Sequence, residues 1–213
     1  METFQRLTIG SDLMLHAEAA LRLDADTLKA EFAALDAALP PEGRTHYGAE
    51  PGTGWTAIPL LEGRPQPGLD YLPTVRTLLE RSDLPVQRAY ILRQPAGGLL
   101  RWHFDNLALH QVEARLLIPI QAPDGAVTRI GHEVAAYPEG QCWTGDFCFP
   151  HQVENLTNRD RIVVALDVAV MDGVRALFPP RLTADPARRN ALAQEAQNLF
   201  QVWRSGVLAV ATP

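Results

Sequence analysis

Lysine is almost absent from this chain: Lys29 is the single one among 213 residues, and the 19 basic side chains stand against 25 acidic ones for a formal net charge of −6. No run of basic residues occurs, which excludes the positive stripe that a nucleic-acid surface requires. No apolar stretch approaches the roughly 20 residues that span a bilayer, so no membrane partner is expected. Cysteine is scarce as well. Cys142 and Cys148 do not have C-x-x-C spacing, and both read as small buried hydrophobes rather than a disulfide or a thiolate metal site. The N-terminus lacks a basic segment followed by an apolar stretch, and the cytoplasm of a prokaryotic-type cell is the expected compartment.

What is present is length for one sizeable core and a series of short apolar runs cut by glycine and proline. Phe4–Ile9 reads as an edge strand. Leu28, Phe32, Leu35 and Leu39 form one stripe of a helix that Asp24 or Asp26 can cap and Pro40-Pro41 ends. Residues 41–54 are a glycine- and proline-rich passage, followed by a strand over Trp55–Leu60 and a short helix from Pro73. Strands are then expected over Val86–Arg93, residues 99–105, Arg115–Ile120, Val127–Ile130, His132–Tyr137 and Arg161–Val170. Asp185-Pro186 opens a last helix that buries Leu192, Ala196, Leu199, Phe200 and Trp203, bracing the sheet or serving a homodimer. The pattern favours a mainly β fold with flanking helices, a barrel or jelly roll, over a parallel α/β sheet. A single domain over 1–213 is expected, with its core at about 85–170 and helical N- and C-terminal flanks.

Within that core the triplet His103-Phe104-Asp105 is answered by His151 and then by Arg161 at the mouth of Ile162-Val163-Val164-Ala165-Leu166. On an extended chain His103 and Asp105 point to one side and Phe104 to the other. Two imidazoles and a carboxylate can occupy one face of an octahedral Fe(II) and leave positions for an oxidisable co-substrate and O2, so these residue types point to redox chemistry. Asp146 is a second candidate carboxylate, and His110 and His132 are alternative imidazoles. Asp105 is preferred for its spacing to His103.

The segment from Gly140 through Trp143, Asp146, Pro150 and His151, the Asn155-Leu156-Thr157 triplet, Arg161 and Asp167 together resemble the aspartyl/asparaginyl beta-hydroxylase family, whose pattern runs G-x-x-W-x-x-D, P-H, N-x-S/T, then R opening a strand that ends in D. The family's H-x-D falls on His103 and Asp105. The resemblance covers roughly residues 85–170 and also takes in the proline cis-hydroxylases. It implies a double-stranded β-helix (cupin-like), an Fe(II) site formed by His103, Asp105 and His151, 2-oxoglutarate as co-substrate and O2 as oxidant. One position departs from the family: Leu117 stands where a histidine commonly helps to hold the co-substrate, and an alkyl chain donates no hydrogen bond. Either another group such as His110, Gln94 or Arg115 takes over, or co-substrate binding is weaker or differently arranged.

A guanidinium suits the remote carboxylate of 2-oxoglutarate, which assigns Arg161, with Arg115 as a second co-substrate or substrate-carboxylate group. The alternative for Arg161 is a rim salt bridge to Asp146, Glu154 or Asp160. Trp102, Asn106, His110 and Arg115 are the candidate substrate contacts. The reading placed first is hydroxylation of a free amino acid or close derivative. Second comes an aspartyl or asparaginyl residue in a peptide or carrier-bound substrate, and third a non-enzymatic cupin-like binding protein.

Overall fold

The computed structural model describes residues 1–39, 45–46 and 54–211, with residues 45–46 and 207–211 by backbone alone. Most of the glycine- and proline-rich passage 41–54 therefore lies outside the described residues. Two antiparallel sheets face each other. The larger runs β1 (His16–Arg22), β10 (Gln141–Gly145), β7 (Glu113–Gln121), β12 (Arg161–Ala169), β5 (Val86–Gln94), β3 (Thr56–Glu62) and β2 (Thr45–His46), with the short β4 (Arg64–Pro65) on β3. The smaller runs β6 (Gly98–His103), β11 (His151–Asn155), β8 (Ala126–Ile130) and β9 (Glu133–Ala135).

The central strand β12 is buried on both faces, and its period-2 alternation assigns each face a different job. Ile162, Val164, Leu166 and Val168 pack with Leu28, Phe32 and Leu35 of α2 (Ala25–Ala38) and Val75 and Leu78 of α3 (Pro73–Leu79). The odd residues look the other way. Val163 and Ala165 join a second cluster with Leu117 of β7 and Leu92 of β5, between the sheets. Arg161 and Asp167 share this inward parity, so a polar pair of positions is carried into the roll by the same strand that builds its outer core.

Asp24 caps α2, accepting from the Thr27 amide at 2.8 Å. Asp185 caps α5 (Pro186–Ala211) through the Arg188 amide at 3.0 Å. That helix buries Ala193, Ala196 and Phe200 against the second cluster, with Leu192, Leu199 and Trp203 at its margin. Phe4–Ile9 is a correction: the segment is the helix α1 (Thr3–Ile9), not a strand. Its buried residues are Phe4 and Thr8, one helical turn apart, a spacing that six residues of mixed polarity do not distinguish from alternation. Among the described residues no helix is long and apolar enough to cross a membrane.

Candidate metal centre

β6 and β11 pair with His103 opposite His151, then Leu100 opposite Val153, so three residues of β6 span two of β11. This bulge is what aims the ligand. Regular alternation would turn Trp102 to the same side as Leu100. The extra residue instead brings His103 into the cavity beside Leu100 and sends Trp102 outward, where it meets Phe4 edge-on at 5.1 Å.

The imidazoles of His103 and His151 lie 4.1 Å apart between ring centroids, and Asp105 Oδ2 is 3.9 Å from His151 Nε2. One ligand atom from each of the three lies within 4.8 Å of the others. His103 Nδ1 donates to the Arg101 carbonyl at 2.7 Å and His151 Nδ1 to the Phe149 carbonyl at 3.1 Å. A carbonyl only accepts, so both Nδ1 atoms carry the proton and both Nε2 lone pairs are left for a metal. Burial, reinforced by the neighbouring His103, pushes the pKa of His151 well below the usual histidine range and favours the neutral, ligating form. Asp105 is 36% exposed, which leaves the site open on its side. Two imidazoles and one carboxylate fit Fe(II) with open positions.

The three groups line a solvent-open cavity together with Arg115, Leu117, Thr128 and Arg161. Arg161 lines it and is buried, with its Nη2 donating to Thr128 Oγ1 at 3.1 Å. Burial lowers its pKa to about 10, which still leaves it protonated near neutrality. The three carboxylates considered as rim partners are engaged elsewhere: Asp146 with Arg189, Glu154 with Arg129, Asp160 with Arg93. Among the described residues no carboxylate lies within 4.0 Å of Arg161, so a buried cation faces the cavity. Thr128 was not singled out by the sequence, where a threonine in a β-strand carries no signal.

Arg115 also lines the cavity. Its Nε and Nη2 grip the two oxygens of Asp167 at 2.7 and 3.1 Å, and Asp167, 1% exposed, receives Arg88 Nε at 3.2 Å as well. Leu117 lines the cavity between the two arginine positions. The other proposed substrate contacts are not brought there. Trp102 is turned out by the bulge, Asn106 is exposed outside the lining, and His110 is buried with its Nδ1 3.4 Å from Asp146 Oδ2.

The N-x-T triplet is a clasp. Asn155 Nδ2 donates to the carbonyls of Gln94, Pro95 and Arg159, and Thr157 donates to Asn155 Oδ1, which ties the turn that delivers Arg161. Gly140 sits at φ +79, where a Cβ would meet the Leu23 carbonyl oxygen at 2.2 Å. His110, Asp146 and Cys148 form a second group with ligand atoms within 4.8 Å. A dication there would face the Arg189 guanidinium, 3.1 Å from Asp146 Oδ2, and a thiol that burial pushes up to about 12. The Asp146–Arg189 pair already offsets its own charge, so this group is better suited to structure than to metal.

Residues 22–170 match the model of a family described as aspartyl/asparaginyl beta-hydroxylase. Among solved structures, the carbocyclase SnoK of nogalamycin biosynthesis aligns with TM-score 0.55 and 14% identity over 79% of this chain and 83% of that one. A prolyl-4-hydroxylase from Pseudomonas putida gives 0.52 and 15% over 78% and 98%. The epimerase SnoN, also of nogalamycin biosynthesis, gives 0.51 and 15% over 78% and 82%. At such identities these likenesses establish the double-stranded β-helix. No curated protein matches the chain. With the family's pattern spread over both sheets and its H-x-D and distant histidine converging at one end of the roll, the chain belongs to the aspartyl/asparaginyl beta-hydroxylase family and is an Fe(II)- and 2-oxoglutarate-dependent dioxygenase.

Proposed function

We propose that this enzyme hydroxylates an aspartyl or asparaginyl side chain whose amino group is already acylated, in a peptide or on a carrier, with His103, Asp105 and His151 as the iron ligands. The observation that carries the substrate reading is the charge of the cavity. Its described lining has two guanidiniums, Arg115 and Arg161, and a single carboxylate, Asp105, which is consumed as a ligand. No lining carboxylate is left for the ammonium of a free amino acid, and an unpaired buried ammonium is costly. An acylated amine carries no such charge.

When bound, the iron supplies the oxidising chemistry that couples conversion of 2-oxoglutarate and O2 to succinate and CO2 with insertion of one oxygen atom into a substrate C–H bond. The chain's residues position and enclose. Arg161, buried with Thr128 beside it, takes the remote carboxylate of the co-substrate. Arg115, held by Asp167, faces the substrate side and donates to a carboxylate or amide oxygen. Leu92, Leu100, Val153 and Val163 keep the remaining walls apolar and exclude water. Retention of the Asp105 carboxylate favours hydroxylation over halogenation.

A free amino acid is the second reading. The enclosed part of the cavity is small, and its apolar walls Leu92, Leu100, Val153 and Val163 suit a single residue. The test is an aerobic assay with Fe(II) and 2-oxoglutarate in which acetylated aspartate and asparagine amides and short peptides compete with the free amino acids. Succinate and a product heavier by one oxygen atom are expected from the acylated set. Turnover confined to free amino acids would refute the proposal.

A further inference from the structure

The segment Asp146–Phe149 frames two of the three ligands with its own carbonyls. Phe147 O accepts from the Asp105 amide at 2.9 Å, and Phe149 O from the ring of His151 at 3.1 Å. Whatever fixes this segment therefore fixes the spacing of a carboxylate and an imidazole. Its amides make one bond within the segment, Phe149 to Asp146 O, and two outside it, Asp146 to Leu15 O and Phe147 to Leu107 O.

Two side chains of α5 add to these bonds and to the burial of Phe147, Cys148 and Phe149. Arg189, fully buried, donates to Asp146 Oδ2 at 3.1 Å and is itself locked by the carbonyls of Met14, Arg181 and Ala184. Gln197 Nε2 donates to the Cys148 carbonyl at 2.8 Å. Arg189, Ala193, Ala196, Gln197 and Phe200 recur at the spacing of one helical face, so the face that buries apolar surface also presents both donors. His110 Nδ1 lies 3.4 Å from the same Asp146 Oδ2. Both α5 donors lie beyond residues 22–170, the part of the chain that matches the family.

We infer that α5 acts as a positioning element for the metal centre, with Arg189 and Gln197 holding the 146–149 segment so that Asp105 and His151 keep ligating geometry. The inference rests on the ligand set proposed above. Neither residue touches metal or substrate; each acts through a backbone carbonyl or the Asp146 carboxylate. Outer partners of this kind commonly change metal affinity by about 10–100-fold when removed.

The test uses Co(II) as a spectroscopic stand-in and needs no turnover. Gln197→Met removes the donor while keeping length, at a partly exposed position whose loss the fold should survive. It is expected to weaken Co(II) binding about ten-fold, alter the visible Co(II) spectrum and speed hydrogen exchange of the Asp105 amide in the metal-free protein. Arg189→Met should do more, and Arg189→Lys, which restores a cation to Asp146, should recover part. Should Arg189→Met fail to fold, Gln197→Met decides alone. Gln194→Ala, which loses only an exposed bond to Asn198, should match the parent. Co(II) affinity within about two-fold of the parent in Gln197→Met, with Asp105 exchange unchanged, overturns the inference and reduces α5 to a brace. A His103→Ala variant that still binds Co(II) normally would overturn the ligand set beneath it instead, so the two failures are distinguishable.

Discussion

The guanidinium of Arg161, on β12 of the large sheet, donates to the hydroxyl of Thr128, on β8 of the small one, at 3.1 Å. Arg161→Ala is therefore expected to weaken anaerobic 2-oxoglutarate binding by about 2–5 kcal/mol while Fe(II) affinity stays nearly constant. Thr128→Val, which removes the hydroxyl that accepts from Arg161, should cost about 1 kcal/mol. Arg161→Lys should recover only part, because an ammonium lacks the planar fork. Calorimetry without substrate measures all three, and unchanged binding in Arg161→Ala would remove the anchor role.

His103→Ala, Asp105→Ala and His151→Ala should each abolish coupled succinate formation, since each removes one of three ligands. Circular dichroism is expected to show the sheets intact, because the side chains end at a cavity and not in either apolar cluster. Full turnover in any one of them would show that the metal sits elsewhere.

Asp167 is 1% exposed and receives two arginines from neighbouring strands. Asp167→Ala leaves Arg115 with 16% side-chain exposure and no carboxylate on its strand neighbour, and is expected to cost about 3 kcal/mol in denaturant unfolding, the lower end for a broken buried pair. Arg115→Met should cost less, since Asp167 keeps Arg88. Equal losses would mean that packing, not the pair, holds this corner.

Acid stability offers a separate check at His16. Burial pushes its pKa down, against the opposing pull of Glu133, so the folded state favours neutral imidazole. The unfolded chain then takes up the proton first as pH falls. The contribution is fully present above the ordinary value of 6.5 and is lost as pH drops through it toward the lower folded value. His16→Gln should make unfolding less pH-dependent below 6.5, measured as melting temperature against pH. An unchanged slope would contradict the assignment.

The candidate ligand set and the proposed co-substrate arginine are legible because their spacing and residue types are chemical demands, and the fold brings His103, Asp105, His151 and Arg161 to one cavity. Strand assignments held where alternation or a double-sided apolar run was long, as in β5, β7 and β12. The reading of Trp102 as a substrate contact did not survive, since a bulge changes which side of β6 it occupies and no residue type there announces one. His110 was read as a substrate contact for lying soon after the H-x-D, yet its partner Asp146 draws it into the interior. The α1 segment was too short for its period to be resolved. Thr128 and the 146–149 carbonyls were invisible for a different reason: one is an ordinary strand residue, and the others act through backbone that every residue possesses.

Behind the metal strand, Trp102 rests on Phe4, and Phe4 in turn on Phe200 and Trp203, so that strand β6 is backed by side chains from both α1 and α5. Such contacts join segments far apart in sequence, which slows their formation relative to local structure. During synthesis the histidines and aspartate emerge well before α5 does. On the inference that α5 positions the 146–149 segment, a nascent chain displays the proposed ligands before it has the helix that squares them, and full affinity for iron comes late, with the docking of α5. The order of emergence thus separates exposure of the ligands from assembly of an oxidising centre.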